Sequence, residues 1–93
     1  MEAAPAVSIL MVSWNTREMT LAAIRSVYAE TLATAFELIV VDNGSVDGTV
    51  EAIRAEFPDV ILLAEQANHG FAKGNNIAAL RARAPLLLLL NTD

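Results

Sequence analysis

Apolar residues fall in four short runs separated by three stretches of helical period. Val7–Val12 (VSILMV) is nearly continuous, as expected of a strand buried on both faces. Phe36–Val41 (FELIVV), Val60–Ala64 and Leu86–Leu90 read the same way, the last as a fourth buried strand. Between the first two, Leu21, Ile24 and Tyr28 recur at i, i+3 and i+7, one stripe of a helix running to about Glu30. Asn15, with Glu18 three residues on, fits the capping-box start of that helix. Val50, Ile53 and Phe57 mark a second helix, capped by Ser45 or Asp47 and stopped by Pro58. A third runs from about Phe71 to Arg83, with Phe71, Ala78 and Ala82 on its apolar side, Ile77 and Leu80 flanking, and Pro85 ending it. Gly74 costs that helix about 1 kcal/mol relative to Ala, which points to close backbone approach.

The element order is βαβαβαβ. Helical crossovers imply an open, doubly wound parallel sheet in an α/β fold, Rossmann-like, with the usual strand order 3-2-1-4. Residues 1–6 are expected to be a flexible tail and residues 7–93 one ligand-binding unit. No internal repeat or low-complexity segment interrupts them. Ninety-three residues make a thin margin, since a chain this short buries only ~60–65% of its unfolded surface.

Hydrophobic content of 55% and charged content of 18% argue against disorder. Eleven acids against six bases give a net charge of −5, which speaks against nucleic acid or a polybasic membrane patch as partner. Cysteine is absent, so disulfides and thiolate metal sites are excluded. Met1–Ala6 lacks the basic and apolar regions of a signal peptide, and Leu86–Leu90 is far too short to span a bilayer.

In such sheets ligands bind beyond the C-terminal ends of strands, where strand order reverses. That places a crevice between Ser13–Trp14–Asn15, after the first strand, and Asn91–Thr92–Asp93, after the fourth. Asp42 closes the second strand. With strands ~4.8 Å apart, Asp42 and Asp93 should stand about 10 Å from each other, a gap that a nucleotide could bridge. No G-x-G-x-x-G follows the first strand and no Walker A loop is present, which sets aside dinucleotide and P-loop sites. Without a glycine-rich cradle, phosphate charge would be met by a divalent metal on carboxylate oxygens.

Four motifs then resemble one family, the inverting family-2 glycosyltransferases of GT-A fold, with a rhamnosyltransferase-like flavour. V-S-I-L-M-V-S-W-N is similar to their first strand, with Trp14 in the aromatic place. V-V-D-N-G-S-V-D-G-T, N-H-G-F-A-K-G-N-N and L-L-L-L-L-N-T-D follow in family order and spacing, the last resembling the strand into a D-x-D motif. The resemblance spans Val7 to Asp93. It implies a nucleotide-sugar donor, with Asp42 accepting from the base or ribose, and Ser13 and Asn15 lining the pocket beside Trp14. Asn68, Gly70 and Lys73 would border the base and ribose. Asp93, with Asn91 in place of the first Asp of D-x-D, would coordinate Mg²⁺ or Mn²⁺. It also implies a cytoplasmic protein of cell-envelope polysaccharide synthesis, peripheral to the membrane in a longer parent. The family's general base and acceptor-binding half lie beyond Asp93, so this chain alone is expected to bind donor without transferring it.

Plainer readings stand beside these. Asp42 could cap its own turn, Trp14 is as fit for core as for pocket wall, and Asn43 to Gly48 could simply build the loop. His69, the only histidine, is expected to face solvent, and a solvated Lys73 is the default. A nucleotide-binding or scaffolding module without catalysis, or a fragment with no working site, are the alternative functions. In the order 3-2-1-4 the fourth strand is an edge, which predicts self-association through it.

Overall fold

The computed structural model describes residues 4–92. The chain folds as β1 (Val7–Ser13), α1 (Arg17–Glu30), β2 (Phe36–Asp42), α2 (Thr49–Glu56), β3 (Ile61–Ala64), α3 (Phe71–Arg81) and β4 (Leu86–Leu90). All strand pairs are parallel and the order is β3-β2-β1-β4. Register brings Ser13 level with Asp42, Asp42 with Ala64, and Met11 with Leu90.

Alternation along the strands sorts side chains between two cores. Ile9 and Met11 of β1 and Leu38 and Val40 of β2 face α1 and α2, where they meet Leu21, Ile24, Val27 and Ile53. Leu10, Ile39 and Val41 face the other way, onto Ala78 of α3. This is why β1 and β2 read as nearly unbroken apolar runs. Tyr28 stacks on Phe57 at 5.8 Å and tilts against Phe36 at 5.5 Å, tying α1, α2 and β2 together near the strand starts.

Several local expectations are corrected. Asn15 does not cap α1: it sits at φ 50, and the helix begins after Thr16 with no side-chain cap. Asp47, thirty residues away, supplies the acceptor instead, taking the Arg17 N–H at 3.0 Å. The same carboxylate accepts from the Thr49 N–H and hydroxyl, so one side chain serves the starts of both α1 and α2. The Thr49 hydroxyl foremost, with the amides behind it, holds the Asp47 carboxyl below its ordinary range.

The buried stripe of α3 is Gly74, Asn75 and Ala78, whereas Phe71 and Leu80 are exposed. Small residues win there because the helix lies close on β1. α3 also ends at Arg81, short of Pro85. The Arg83 N–H, which could have continued the helix, goes to Glu37 Oε2 at 2.7 Å, and the Ala84 N–H goes to Ser8 Oγ at 3.1 Å. At the N-terminus, Pro5 is buried and the Ala6 N–H donates to the Ala35 carbonyl at 2.8 Å, so these two residues are held rather than free. Residues 1–3, the rest of the expected tail, lie outside the described residues.

β4 is the largest departure from expectation. Leu86 to Leu89 are 47–63% exposed, and only Leu90 packs against a core cluster. The strand is an edge, and among the described residues the helices lie over β1, β2 and β3.

Candidate functional site

At the C-terminal rim, where β1 lies between β2 and β4, the chain forms a cleft of about 390 Å³. Val12, Trp14 and Thr16 line it from the β1 side, Asn43 from the end of β2, Asn68, Gly70 and Phe71 from the approach to α3, and Asn91 and Thr92 from beyond β4. That volume falls within the range of small-molecule pockets, and its place is the strand-order reversal expected of ligand sites in open parallel sheets. A larger cavity of about 560 Å³ lies at the opposite rim, among Pro5, Tyr28, Phe36, Arg81 and Arg83. Glu37 in its wall is already engaged by Ser8 and Arg83, and size alone does not make it the site.

Asn43 is the residue that sequence reasoning missed. Its N–H donates to the Ser13 carbonyl at 2.8 Å and its Nδ2 donates to the Gly70 carbonyl at 3.2 Å. The residue is 2% exposed, and among the described residues its Oδ1 has no hydrogen-bond partner. Turning the amide over would set Oδ1 against the Gly70 oxygen, acceptor on acceptor, so the orientation is fixed by Gly70. An unmet buried acceptor costs about 1–3 kcal/mol.

The signal that could have found Asn43 is the same alternation that builds the cores. Ile39 and Val41 face α3, so the next residue of that parity is Asn43, while Asp42 falls on the α1 and α2 side. The cleft opens on the α3 side.

Asp42 is accordingly sealed. It is fully buried, and both its oxygens accept from Ser45, Oδ2 from the N–H at 2.8 Å and Oδ1 from the hydroxyl at 2.6 Å. Its observed contacts are those of a turn anchor. Ser13 also faces inward, sharing a hydrogen bond with Thr20 at 2.9 Å instead of lining the cleft. Asn15 is committed to the neighbouring loop, its Oδ1 accepting the Val46 N–H at 2.8 Å. Lys73 is exposed and outside the cleft lining, whereas Trp14, Asn68, Gly70 and Asn91 are brought together there. Trp14 is half exposed, hence pocket wall and not core. His69 is partly buried and meets Glu65 at 3.3 Å, so it does not simply face solvent.

Gly70 shapes the entry to α3. It adopts φ 83 with ψ 167, open to glycine and hardly to other residues, and its N–H donates to Asn68 Oδ1 at 2.7 Å. Among the described residues no side chain caps the helix, so its first-turn amides begin beside the cleft. For a metal the described donors are thin. Among the described residues no group of three His, Cys, Asp or Glu could hold an ion, and no carboxylate lines the cleft. Asn91 and Thr92 offer neutral oxygens, and Asp93 lies outside the described residues.

Comparison with known proteins agrees with this fold. The residue pattern of glycosyl transferase family 2 matches residues 8–93. An uncharacterized glycosyltransferase of Bacillus subtilis (strain 168), YfnE, is 34% identical over 89 residues, covering 92% of this chain and 22% of that protein. The mannosyltransferase PcManGT from Pyrobaculum calidifontis, solved with GDP-Man and Mn²⁺, superposes with a TM-score of 0.85 at 25% identity, over 98% of this chain and 28% of that one. TarS from S. aureus, solved with UDP-GlcNAc, gives 0.80 at 23% identity over 94% of this chain and 26% of that one, a likeness of fold. The chain thus spans about a quarter of the length of these relatives. With the matched pattern covering nearly every residue and the sheet order reproduced, the chain belongs to glycosyl transferase family 2 and has the parallel-sheet half of a GT-A fold.

Proposed function

We propose that the cleft binds the nucleotide diphosphate of a sugar donor, and that a longer protein containing this chain would transfer the sugar, with inversion, to an acceptor hydroxyl. The observation that carries this is Asn43 Oδ1, an unmet buried acceptor on a residue lining a cleft at the strand-order reversal. A nucleobase ring N–H would supply a donor of the kind it lacks. Trp14 and Phe71, both about half exposed, offer flat apolar surface for the ring, and Asn68 and Gly70 border the sugar side.

The diphosphate would run toward Asn91 and Asp93. Neutral oxygens there, with one carboxylate to follow, suit a divalent ion that arrives shared with phosphate oxygens, not one caged by protein. Asp93, with Asn91 beside it, would hold Mg²⁺ or Mn²⁺, and such an ion offsets the negative charge of the diphosphate as it departs. In an inverting displacement the acceptor oxygen bonds to the anomeric carbon as the bond to the diphosphate breaks, and a base takes the acceptor proton. No Asp, Glu or His lines the cleft among the described residues, so the 93-residue chain is proposed to bind donor without transferring it.

Calorimetric titration of UDP, GDP and dTDP, each with Mn²⁺, tests the reading. Metal-dependent heat from at least one is expected, and none from any would reject it. The exposed leucines of β4 support a second proposal, that two copies of the chain pair through this edge. Among the described residues no helix is long and apolar enough to cross a membrane.

A further inference from the structure

The loops that follow β1 and β2 are joined by a short relay of hydrogen bonds. The buried Asp42 carboxylate can only accept, so the single proton of the Ser45 hydroxyl goes to its Oδ1, at 2.6 Å. A lone pair of the same hydroxyl is then left to accept the Asn15 N–H, at 2.8 Å. Asn15 answers across the gap, its Oδ1 accepting the Val46 N–H at 2.8 Å. Between these two bonds Asn15 is held at φ 50, the only positive φ outside glycine among the described residues. Asparagine enters that region more readily than other non-glycine residues, and these two bonds hold it there. The residues on either side of it, Trp14 and Thr16, both line the cleft, while Asn15 does not.

We propose that Ser45 is a positioning residue for the cleft: its hydroxyl carries the hold of the buried Asp42 carboxylate to the Asn15 backbone and so fixes Trp14 as a preformed wall. The inference rests on the donor-binding reading of the cleft for its consequence, but not for its geometry. A wall ordered before binding spares the ligand the entropy of ordering it, which raises affinity without any contact from Ser45 itself. It also gives the Asp-x-x-Ser spacing of this turn a role at a distance. Asp42 and Ser45 lie outside the cleft lining, yet they set where Trp14 stands.

Trp14 is the only tryptophan, so its emission reports on this wall alone. The test compares wild type, Ser45→Ala, Ser45→Thr and Asp47→Asn in the full chain by tryptophan anisotropy, by affinity for the nucleotide diphosphate that wild type binds best, and by melting temperature. Asp47→Asn loosens the same two loops at their helix starts while leaving the Ser45–Asn15 bond in place, and so sets the scale of a merely structural effect. Ser45→Ala is expected to lower Trp14 anisotropy in the free protein and to weaken nucleotide binding about five- to tenfold, beyond anything Asp47→Asn does at an equal loss of melting temperature. Ser45→Thr, which keeps the hydroxyl, is expected to restore both. Unchanged anisotropy and affinity in Ser45→Ala, or equal losses in Ser45→Ala and Asp47→Asn, would overturn the proposal. If wild type binds no nucleotide diphosphate, the donor reading fails, and the positioning claim is decided by anisotropy and its rescue by threonine.

Discussion

A methyl group on Gly74 would stand 2.9 Å from Val12 Cγ1. Asn43 Nδ2 would be 3.3 Å away on the same side, so α3, β1 and the floor of the cleft meet at this one backbone position. Gly74→Ala sets two effects against each other. Helix propensity favours alanine by about 1 kcal/mol. Overpacking against a β-branched side chain costs about 1–3 kcal/mol, because Val12 has little freedom to turn away. The clash should win, and a net loss of up to about 2 kcal/mol is expected in denaturant unfolding. An unchanged or raised midpoint would mean that α3 can lift from the sheet freely.

At the opposite rim, Glu37 joins three parts of the chain. Burial pushes its carboxyl up, but the Ser8 hydroxyl, the Arg83 backbone amide and the Arg83 side chain together outweigh burial and leave it below its ordinary value. A carboxylate whose folded value is depressed contributes stability that is complete above its unfolded value, about 4.3, and is lost as pH falls through the lower, folded value. Stability of the wild type should therefore fall as pH drops below about 4.3 more steeply than that of Glu37→Gln. At neutral pH, Glu37→Ala leaves Ser8 and the Arg83 amide without their acceptor and should cost about 2–3 kcal/mol. Parallel pH profiles for wild type and Glu37→Gln in thermal melts would contradict this role.

Asn43 should trade stability against binding. Removing its side chain loses the bond to Gly70 but also removes the unmet Oδ1, so Asn43→Ala should lie within about 1 kcal/mol of wild type in unfolding. Nucleotide affinity should nonetheless drop about tenfold, the equivalent of one hydrogen bond at about 1.4 kcal/mol. Calorimetry and denaturation on the same preparation check both halves.

The β4 edge gives a solution prediction. Leu88 is 51% exposed in the middle of β4, whose outer edge has no neighbouring strand among the described residues. A lysine there should prevent strand-on-strand pairing, so light scattering should show association of the wild type at high concentration and a monomer for Leu88→Lys. Monomeric wild type at every concentration would rule the pairing out.

Much of this was legible in the sequence, and the rest was hidden for physical reasons. Four apolar runs divided by helical period fixed the element order, and the crossovers pointed to the sheet order that is found. Gly74 announced a close approach through its cost to the helix, and the close approach is there. Asn15 was misread because its spacing to Glu18 satisfies a local capping rule, whereas the amide to be capped is taken by Asp47 from thirty residues away. Glu37 stands inside an apolar run, and its partner Arg83 comes from 46 residues further on. β4 looks buried because five leucines say only that a strand prefers cover, not that cover is supplied. At the cleft the rim was legible but the face was not. Asp42 and Asn43 are adjacent in sequence and point to opposite sides of the sheet, and only the position of α3 tells which side the cleft occupies.

The most direct test of the central claim is a map of backbone amide shifts in the ¹⁵N-labelled chain, titrated with UDP, GDP or dTDP in the presence of Mg²⁺. Perturbations gathered on Trp14, Asn43, Gly70, Phe71 and Asn91 are the predicted result. Perturbations gathered instead around Tyr28, Arg81 and Arg83, or none with any nucleotide, would contradict it.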